Sequence, residues 1–280
     1  MHVRNGRQRL KKRGATLSRL PILVVGAGAM GGAMIAGWLR AGAVTASDLM
    51  IVDPHPSAEA MAAAEAGAML APDNAAMARA RTVLFAVKPQ VWREAAADIA
   101  PRLGPHAAIV SIIAGVAARD LSAALGGRPI ARAMPTLAAA IGAGSIALWP
   151  ADGPLTDETE ALLAPLGAVT RLADEDLMHV ATAASGSATA YLYAFIEALE
   201  AGAVEAGLPP DEAARAVRAT VCGAAALLAQ SGEDPADLRR RVTSPGGTTQ
   251  AALETLLPEL GPLLARAVAA AAARSRELGQ

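Results

Sequence analysis

Two short glycine-bearing segments hold the residues best suited to chemistry on a charged small molecule. The first is Gly26-Ala27-Gly28-Ala29-Met30-Gly31, a G-x-G-x-x-G pattern, with Asp53 standing 25 positions after Gly28. In this pattern the first glycine permits a tight turn and the second lets backbone approach a pyrophosphate. The third lets a helix pack closely on the preceding strand. The start of that helix adds unpaired N–H groups and a partial positive charge directed at the anion. Asp53 stands where a dinucleotide fold puts an acid on the ribose hydroxyls; its alternative duty is to cap a helix beginning near Ser57. In the ribose role it disfavours a 2′-phosphate, since like charges about 4 Å apart repel by about 4 kcal/mol at an effective dielectric near 20. NADH is then expected to serve at least as well as NADPH.

The second segment is Ser244-Pro245-Gly246-Gly247-Thr248-Thr249. Two glycines before a helix leave several backbone N–H groups free to converge on one anion, and a small carboxylate suits that space. The spacing fits equally an ordinary helix start, with Ser or Thr as cap and Pro at the first helical position. What is missing matters as much. Lysine occurs only at positions 11, 12 and 88, and asparagine only at 5 and 74. Reduction of a carbonyl usually needs a proton donor beside the developing alkoxide. The second half of the chain offers no lysine, no asparagine and one histidine, His179. That argues against the 3-hydroxyacid dehydrogenases that share a two-domain plan of this kind. An imine protonated on nitrogen already attracts hydride, so a site for it can be chemically spare.

These segments need elements to hold them. Pro21–Gly26 is a β-branched apolar run stopped by glycine, the form of a buried parallel strand. Ala29–Ala41 reads as a helix ended by Gly42, and Leu49–Val52 as a strand ended at Asp53-Pro54. Ser57–Ala66 is helical, and Thr82–Val87, Ala107–Ile113 and Ile130–Ala133 are strands. After about Arg171 the pattern is helical throughout, over Ala173–Ala206, Pro210–Gln230, Pro235–Val242, Thr248–Leu257 and Pro258–Leu278. The expectation is an α/β fold: a Rossmann-type doubly wound parallel sheet over residues 21–171, then an all-helical domain over 172–280.

Composition supports this plan and narrows the partners. The chain has 280 residues, 53% of them hydrophobic but only 2% aromatic, so alanine-lined helices supply the packing surface. One cysteine, Cys222, excludes an intramolecular disulfide framework and suits a reducing, cytoplasmic setting. A formal net charge of −1 predicts no nucleic-acid partner, and no metal-ligand cluster stands out. Residues 1–20 carry seven positive charges before the first acid at Asp48. A nucleic-acid tail and a transit peptide are alternatives, and a disordered basic extension is the favoured expectation. Deleting residues 1–18 should therefore leave activity and melting temperature nearly unchanged; loss of soluble dimer would show the arm to be structural. Leu177–Ile196 lacks formal charge, but its His179, Thr182, Ser185, Ser187, Thr189 and two tyrosines favour burial against protein over insertion in a membrane.

From Pro21 to about Leu278 the chain resembles the pyrroline-5-carboxylate reductases. The resemblance rests on the glycine loop with Met30-Gly31, on Ala86-Val87-Lys88-Pro89-Gln90, on Ser111 to Gly115, and on Arg132-Ala133-Met134-Pro135. In the second half it rests on Glu175 to Tyr191 around Ser185-Gly186-Ser187, and on Ser244 to Thr249. It implies NADPH- or NADH-dependent reduction of a cyclic imine, 1-pyrroline-5-carboxylate, to L-proline. It implies that Ala29, Met30, Val87, Lys88, Pro89, Ala114 and Gly115 line the cofactor beside Gly26, Gly28, Gly31 and Asp53. Met134, Pro135, Ser244, Gly246, Gly247 and Thr248 would meet substrate, with backbone at 244, 247 and 248 on its carboxylate. The Thr249 hydroxyl would meet the ring nitrogen, while Lys88 has no acid role. Paired helical domains are implied too, giving a homodimer or an oligomer of dimers. The chain departs from the family at Ala29, where asparagine is usual, at Thr136-Leu137-Ala138 in place of Asn-Thr-Pro, and at Thr189 in place of proline. These departures admit another cyclic imine carboxylate as substrate, or a dinucleotide-binding protein that has lost turnover.

Overall fold

A computed structural model describes residues 20–150 and 152–278; the expectation for the basic arm falls mainly on residues 1–19, outside the described residues. The described residues divide into two compact units, the first running to 113 and again over 117–173, the second formed by 114–116 and the residues from 174 onward.

The first unit is built on eight strands: β1 Ile22–Val25, β2 Leu49–Val52, β3 Met69–Leu70, β4 Thr82–Phe85, β5 Ala108–Ser111, β6 Ile130–Pro135, β7 Gly144–Trp149 and β8 Gly167–Arg171. They form one sheet in the order β3-β2-β1-β4-β5-β6-β7-β8. The pairings from β3 through β6 are parallel, as expected of a doubly wound sheet, and the order reverses between β1 and β4. β7 differs: it pairs antiparallel with β6, and β8 runs parallel to β7, so the far edge reverses direction. The helices here are α1 Ala29–Ala41, α2 Ala58–Glu65, α3 Asn74–Met77, α4 Trp92–Ile99, α5 Ala118–Ala124 and α6 Pro154–Leu163.

The central strands are wholly buried because covering helices leave neither sheet face to water, which is why they read as unbroken apolar runs. α1 ends at Gly42, whose left-handed conformation (φ 63°) lets its N–H close on Leu39 O. Trp38 on α1 is fully buried, and its indole N–H donates to Leu162 O at 2.8 Å. Gly37 sits against Ala139 O and Leu166, so a larger residue would push α1 off its neighbours.

The second unit holds α7 Leu177–Ala181, a π-helical turn Thr182–Gly186, α8 Ala188–Glu205, α9 Pro210–Ser231, α10 Pro235–Arg241 and α11 Thr248–Glu277. Two expectations are corrected here. Residues 173–206 are not one α-helix: the π turn interrupts it, and Ser187 N–H reaches back to Thr182 O. Residues 248–278 are not two helices: α11 runs unbroken through Pro258 and Pro262. A further difference is that α8 buries none of its residues within the chain, and Leu192, Tyr193, Phe195 and Leu199 are exposed.

Candidate functional site

In the first unit, the residues that flank the reversal between β1 and β4 enclose a cavity of about 780 Å³. Gly26, Gly28 and Ala29 line it, with Asp53, Pro54 and His55 after β2, Val87 and Lys88 after β4, and Glu94, Ala95 and Asp98 of α4. The three glycines differ in what they do. Gly26 has φ 93°, and a Cβ there would lie 2.7 Å from the Ala86 backbone, so both turn and packing require glycine. A Cβ on Gly31 would strike Gly26 O, so the helix could not approach the strand as it does. A Cβ on Gly28 would meet no protein atom within 4 Å; its bareness serves the cavity it lines.

α1 begins with no side-chain cap and no acid in its first turn, so its leading N–H groups and dipole remain available to an anion. These residues fit a dinucleotide: bare backbone for the pyrophosphate, a helix start for its charge, and a carboxylate at the end of β2 for the ribose. Asp53 does not cap the next helix. Ser57 does, accepting from Ala60 N–H at 3.3 Å, and the Glu59 carboxylate in that turn is held below its usual range by its backbone and Ser57 hydrogen bonds. Asp53 instead accepts from Ala27 N–H at 2.5 Å and from His55 N–H at 2.7 Å, one on each oxygen. Met30 is half-buried in α1, Pro89 opens a short 3-10 turn after Lys88, and Lys88 lines the cavity. Ala114 and Gly115 follow β5 in the chain and belong to the second unit, Gly115 at φ 81°.

Pocket residues that sequence patterning missed are Glu94 and Asp98. They stand four apart on α4, opposite its buried Trp92, Ala96 and Ile99. That i, i+4 spacing beside a buried stripe was the available signal.

In the second unit, the segment from Ser244 makes a turn rather than a capped start. Gly247 is the N-cap, in extended conformation and with no side-chain cap, and Thr248 is the first helical residue, so Pro245 lies outside the helix. Gly246 N–H donates to Gln250 Oε1 at 2.8 Å, and Gly247 N–H to Ser244 O at 3.1 Å. The expected use of Gly247 N–H for a carboxylate is therefore corrected: the turn itself consumes it. The N–H groups of Thr248 and Thr249, one turn from any intrahelical acceptor, stay free. Among the described residues the Thr249 hydroxyl makes no hydrogen bond. Several other Thr and Ser hydroxyls of this unit turn back onto the chain, as Thr182, Ser185, Thr220 and Thr243 do to the carbonyl four residues before. A free hydroxyl beside free N–H groups can meet a ligand that carries both a carboxylate and a nitrogen.

Met134 and Pro135 are buried at the end of β6 in the first unit. Thr136, which stands where the resemblance expects asparagine, is also buried, and its Oγ1 accepts from Ser145 N–H at 3.1 Å. That side chain closes the β6–β7 turn. Leu137 beside it is exposed.

Residues 175–278 match the family described as pyrroline-5-carboxylate reductase dimerisation, and residues 21–115 match NADP oxidoreductase, coenzyme F420-dependent. The chain is 36% identical to a pyrroline-5-carboxylate reductase of Pseudomonas aeruginosa over 92% of its own length and 97% of that protein. The structure of a pyrroline-5-carboxylate reductase from Coxiella burnetii superposes with a TM-score of 0.84 at 27% identity, covering 94% of this chain and 99% of that one. A pyrroline carboxylate reductase from Plasmodium falciparum with NADP bound gives 0.79 at 25% identity, over 93% and 98%.

Proposed function

The chain belongs to the pyrroline-5-carboxylate reductase family, and on that premise we propose which of its residues carry the family's reaction. The protein is an NAD(P)H-dependent oxidoreductase of proline biosynthesis: it reduces 1-pyrroline-5-carboxylate to L-proline. When bound, the reduced nicotinamide supplies hydride to the carbon of the C=N bond. The loop from Gly26 to Gly31 holds the pyrophosphate through bare backbone and the start of α1. Val87, Lys88 and Pro89 hold the cofactor after β4, and Lys88 supplies charge without exchanging a proton.

The substrate carboxylate rests on the free N–H groups of Thr248 and Thr249, with the Ser244 hydroxyl and bare Gly246 and Gly247 beside it. The protonated ring nitrogen donates to Thr249 Oγ1, which keeps the imine in its electrophilic form. The observation that carries this assignment is the uncapped start of α11 with a hydroxyl that nothing among the described residues uses.

The protein acts on a small molecule and assembles with copies of itself. We assign the exposed apolar side chains of α8 and α11 to a homodimer, with an oligomer of dimers as its extension, and not to membrane or nucleic acid. α11 is long and apolar enough to cross a membrane, but it lies within the residues matched to the dimerisation family. A cytoplasmic location belongs to the same reading, supported by one free cysteine, Cys222.

Steady-state assay of the purified protein with 1-pyrroline-5-carboxylate and either reduced cofactor tests the assignment; the expected product is proline. Turnover only with a larger cyclic imine carboxylate would move the substrate, as the altered 136–138 segment allows. Cofactor binding without turnover on any cyclic imine would mean that catalysis had been lost.

A further inference from the structure

The turn from Ser244 to Gly247 is held by a side chain that lies inside the helix it precedes. Counting from Gly247 as N-cap, Gln250 is the third residue of α11, a place from which Glu or Gln can reach back to a helix start. In the usual arrangement that side chain takes the N-cap N–H, and the N-cap side chain takes the N–H of the third residue. Only the first half exists here, and it is displaced by one residue. Gly247 N–H is already closed on Ser244 O, so Gln250 Oε1 takes Gly246 N–H at 2.8 Å instead. Gly247 has no side chain to return, and helical bonding begins with Ala251 N–H on Gly247 O at 3.2 Å. The donors of the turn are therefore spent, while those of Thr248 and Thr249 are not.

The glutamine is itself oriented. Its Nε2 donates to Glu254 Oε1 at 2.9 Å, one turn further along α11. An ionised carboxylate only accepts, so it pairs with the amide nitrogen and turns the amide oxygen toward Gly246. Gly246 needs such a hold: its backbone is left-handed at φ 69°, and glycine gives up more chain entropy on ordering than any other residue. Gln250 lines a cavity of about 490 Å³ with Thr243, Leu253, Glu254, Leu257 and Pro258. Of the other polar side chains there, Thr243 donates to Arg239 O and Glu254 is engaged by Gln250 itself. The neutrality of the amide matters as well. A carboxylate at 250 could accept from Gly246 N–H equally well, but it would set a negative charge within one turn of donors meant for an anion.

We propose that Gln250, oriented by Glu254, is the positioning residue of the carboxylate loop. It holds Gly246 so that the N–H groups of Thr248 and Thr249 present one anion site, and it does so without adding charge. The proposal rests on the substrate carboxylate lying at those N–H groups, and its test separates the two claims.

The test is steady-state kinetics of purified full-length Gln250→Met, Gln250→Glu and Thr249→Val proteins, with cyclopentanecarboxylate as competitor. That probe keeps a five-membered ring and a carboxylate and lacks the ring nitrogen. Methionine keeps the length of glutamine and removes the acceptor. KM for 1-pyrroline-5-carboxylate and the inhibition constant of the probe should then both rise about two- to tenfold, as for one lost neutral hydrogen bond, with kcat within about twofold. Relative to the unaltered protein, that rise should not depend on salt. Gln250→Glu keeps the acceptor, so its KM should rise through repulsion alone. This second rise should shrink between about 0.01 and 0.15 M salt, as the screening length falls from about 30 to about 8 Å. Unchanged KM and inhibition constants in both Gln250 variants, with Thr249→Val slowed, overturn the proposal and leave the carboxylate site standing. A lower kcat and melting temperature with KM unchanged also overturn it, since Gln250 would then only brace the helix. If cyclopentanecarboxylate does not compete and Thr249→Val is as active as the unaltered protein, the site and the positioning role fall together.

Discussion

Replacing Thr249 with valine should lower kcat/KM for the imine by about 10- to 150-fold while the protein stays folded. The hydroxyl makes no bond within the described chain, so its removal costs the fold nothing that the structure shows. In the reacting complex it would remove one charge-assisted hydrogen bond at the ring nitrogen, worth roughly 1.5–3 kcal/mol. Valine keeps the volume of threonine, so packing does not confuse the measurement. Had Thr249 been a cap, the same change would cost up to about 1 kcal/mol of stability and leave turnover intact. Binding of a non-reducible proline-like carboxylate should weaken less than turnover, because the N–H groups of Thr248 and Thr249 survive the substitution. Unchanged kinetics in folded Thr249→Val protein would remove the hydroxyl from the mechanism. Equal loss of carboxylate binding and turnover would mean instead that the loop had moved.

The glycine loop should separate structural from functional glycines. Gly31→Ala forces a Cβ onto Gly26 O, backbone against backbone with no flexible side chain to yield. Overpacking of this kind costs roughly 1–3 kcal/mol, so the melting temperature should fall by about 2–12 °C, and the displaced loop should lose dinucleotide affinity as well. Gly28→Ala meets no protein atom within 4 Å. Its melting temperature without ligand should match that of the unaltered protein, while dinucleotide affinity falls by about tenfold or more as the methyl intrudes on the pyrophosphate. Thermal unfolding paired with titration of NADH distinguishes the two. A Gly28→Ala protein that binds NADH normally would show that the pyrophosphate does not pass over this residue.

Local chemistry made much of the molecule legible before any fold was considered. Gly42 ends α1 because only glycine takes a left-handed cap without strain, and Asp53-Pro54 ends β2 because proline denies the ladder a donor. The buried strands β1, β4 and β5 show as apolar runs because both sheet faces are covered. The glycine loop and the segment from Ser244 to Thr249 are equally local devices: each is a turn plus a helix start, written in consecutive residues. So the two places where chemistry could occur could be named from spacing, and the doubly wound plan from the alternation around them.

What spacing left open was settled by residues far apart in the chain. The capping role of Asp53 stayed open until Ser57 was seen to cap α2 in its place, with Asp53 instead accepting from Ala27 N–H, 26 positions away. The acidity of the cavity depends on α4, whose Glu94 and Asp98 face the loop after β2 only once the sheet order brings them together. The antiparallel β7 was missed because its register is set by β6, not by its own weakly patterned Gly144–Trp149. The break expected at Pro258 follows from a local rule, the lost N–H and the clash with the preceding turn. α11 nevertheless continues, because a proline denies a long helix one bond while the turns on either side keep theirs. The availability of the Thr249 hydroxyl was likewise decided in three dimensions: the same residue type caps, bonds back or stays free according to where the chain enters the helix, and that entry is set by the turn at Gly246 and Gly247.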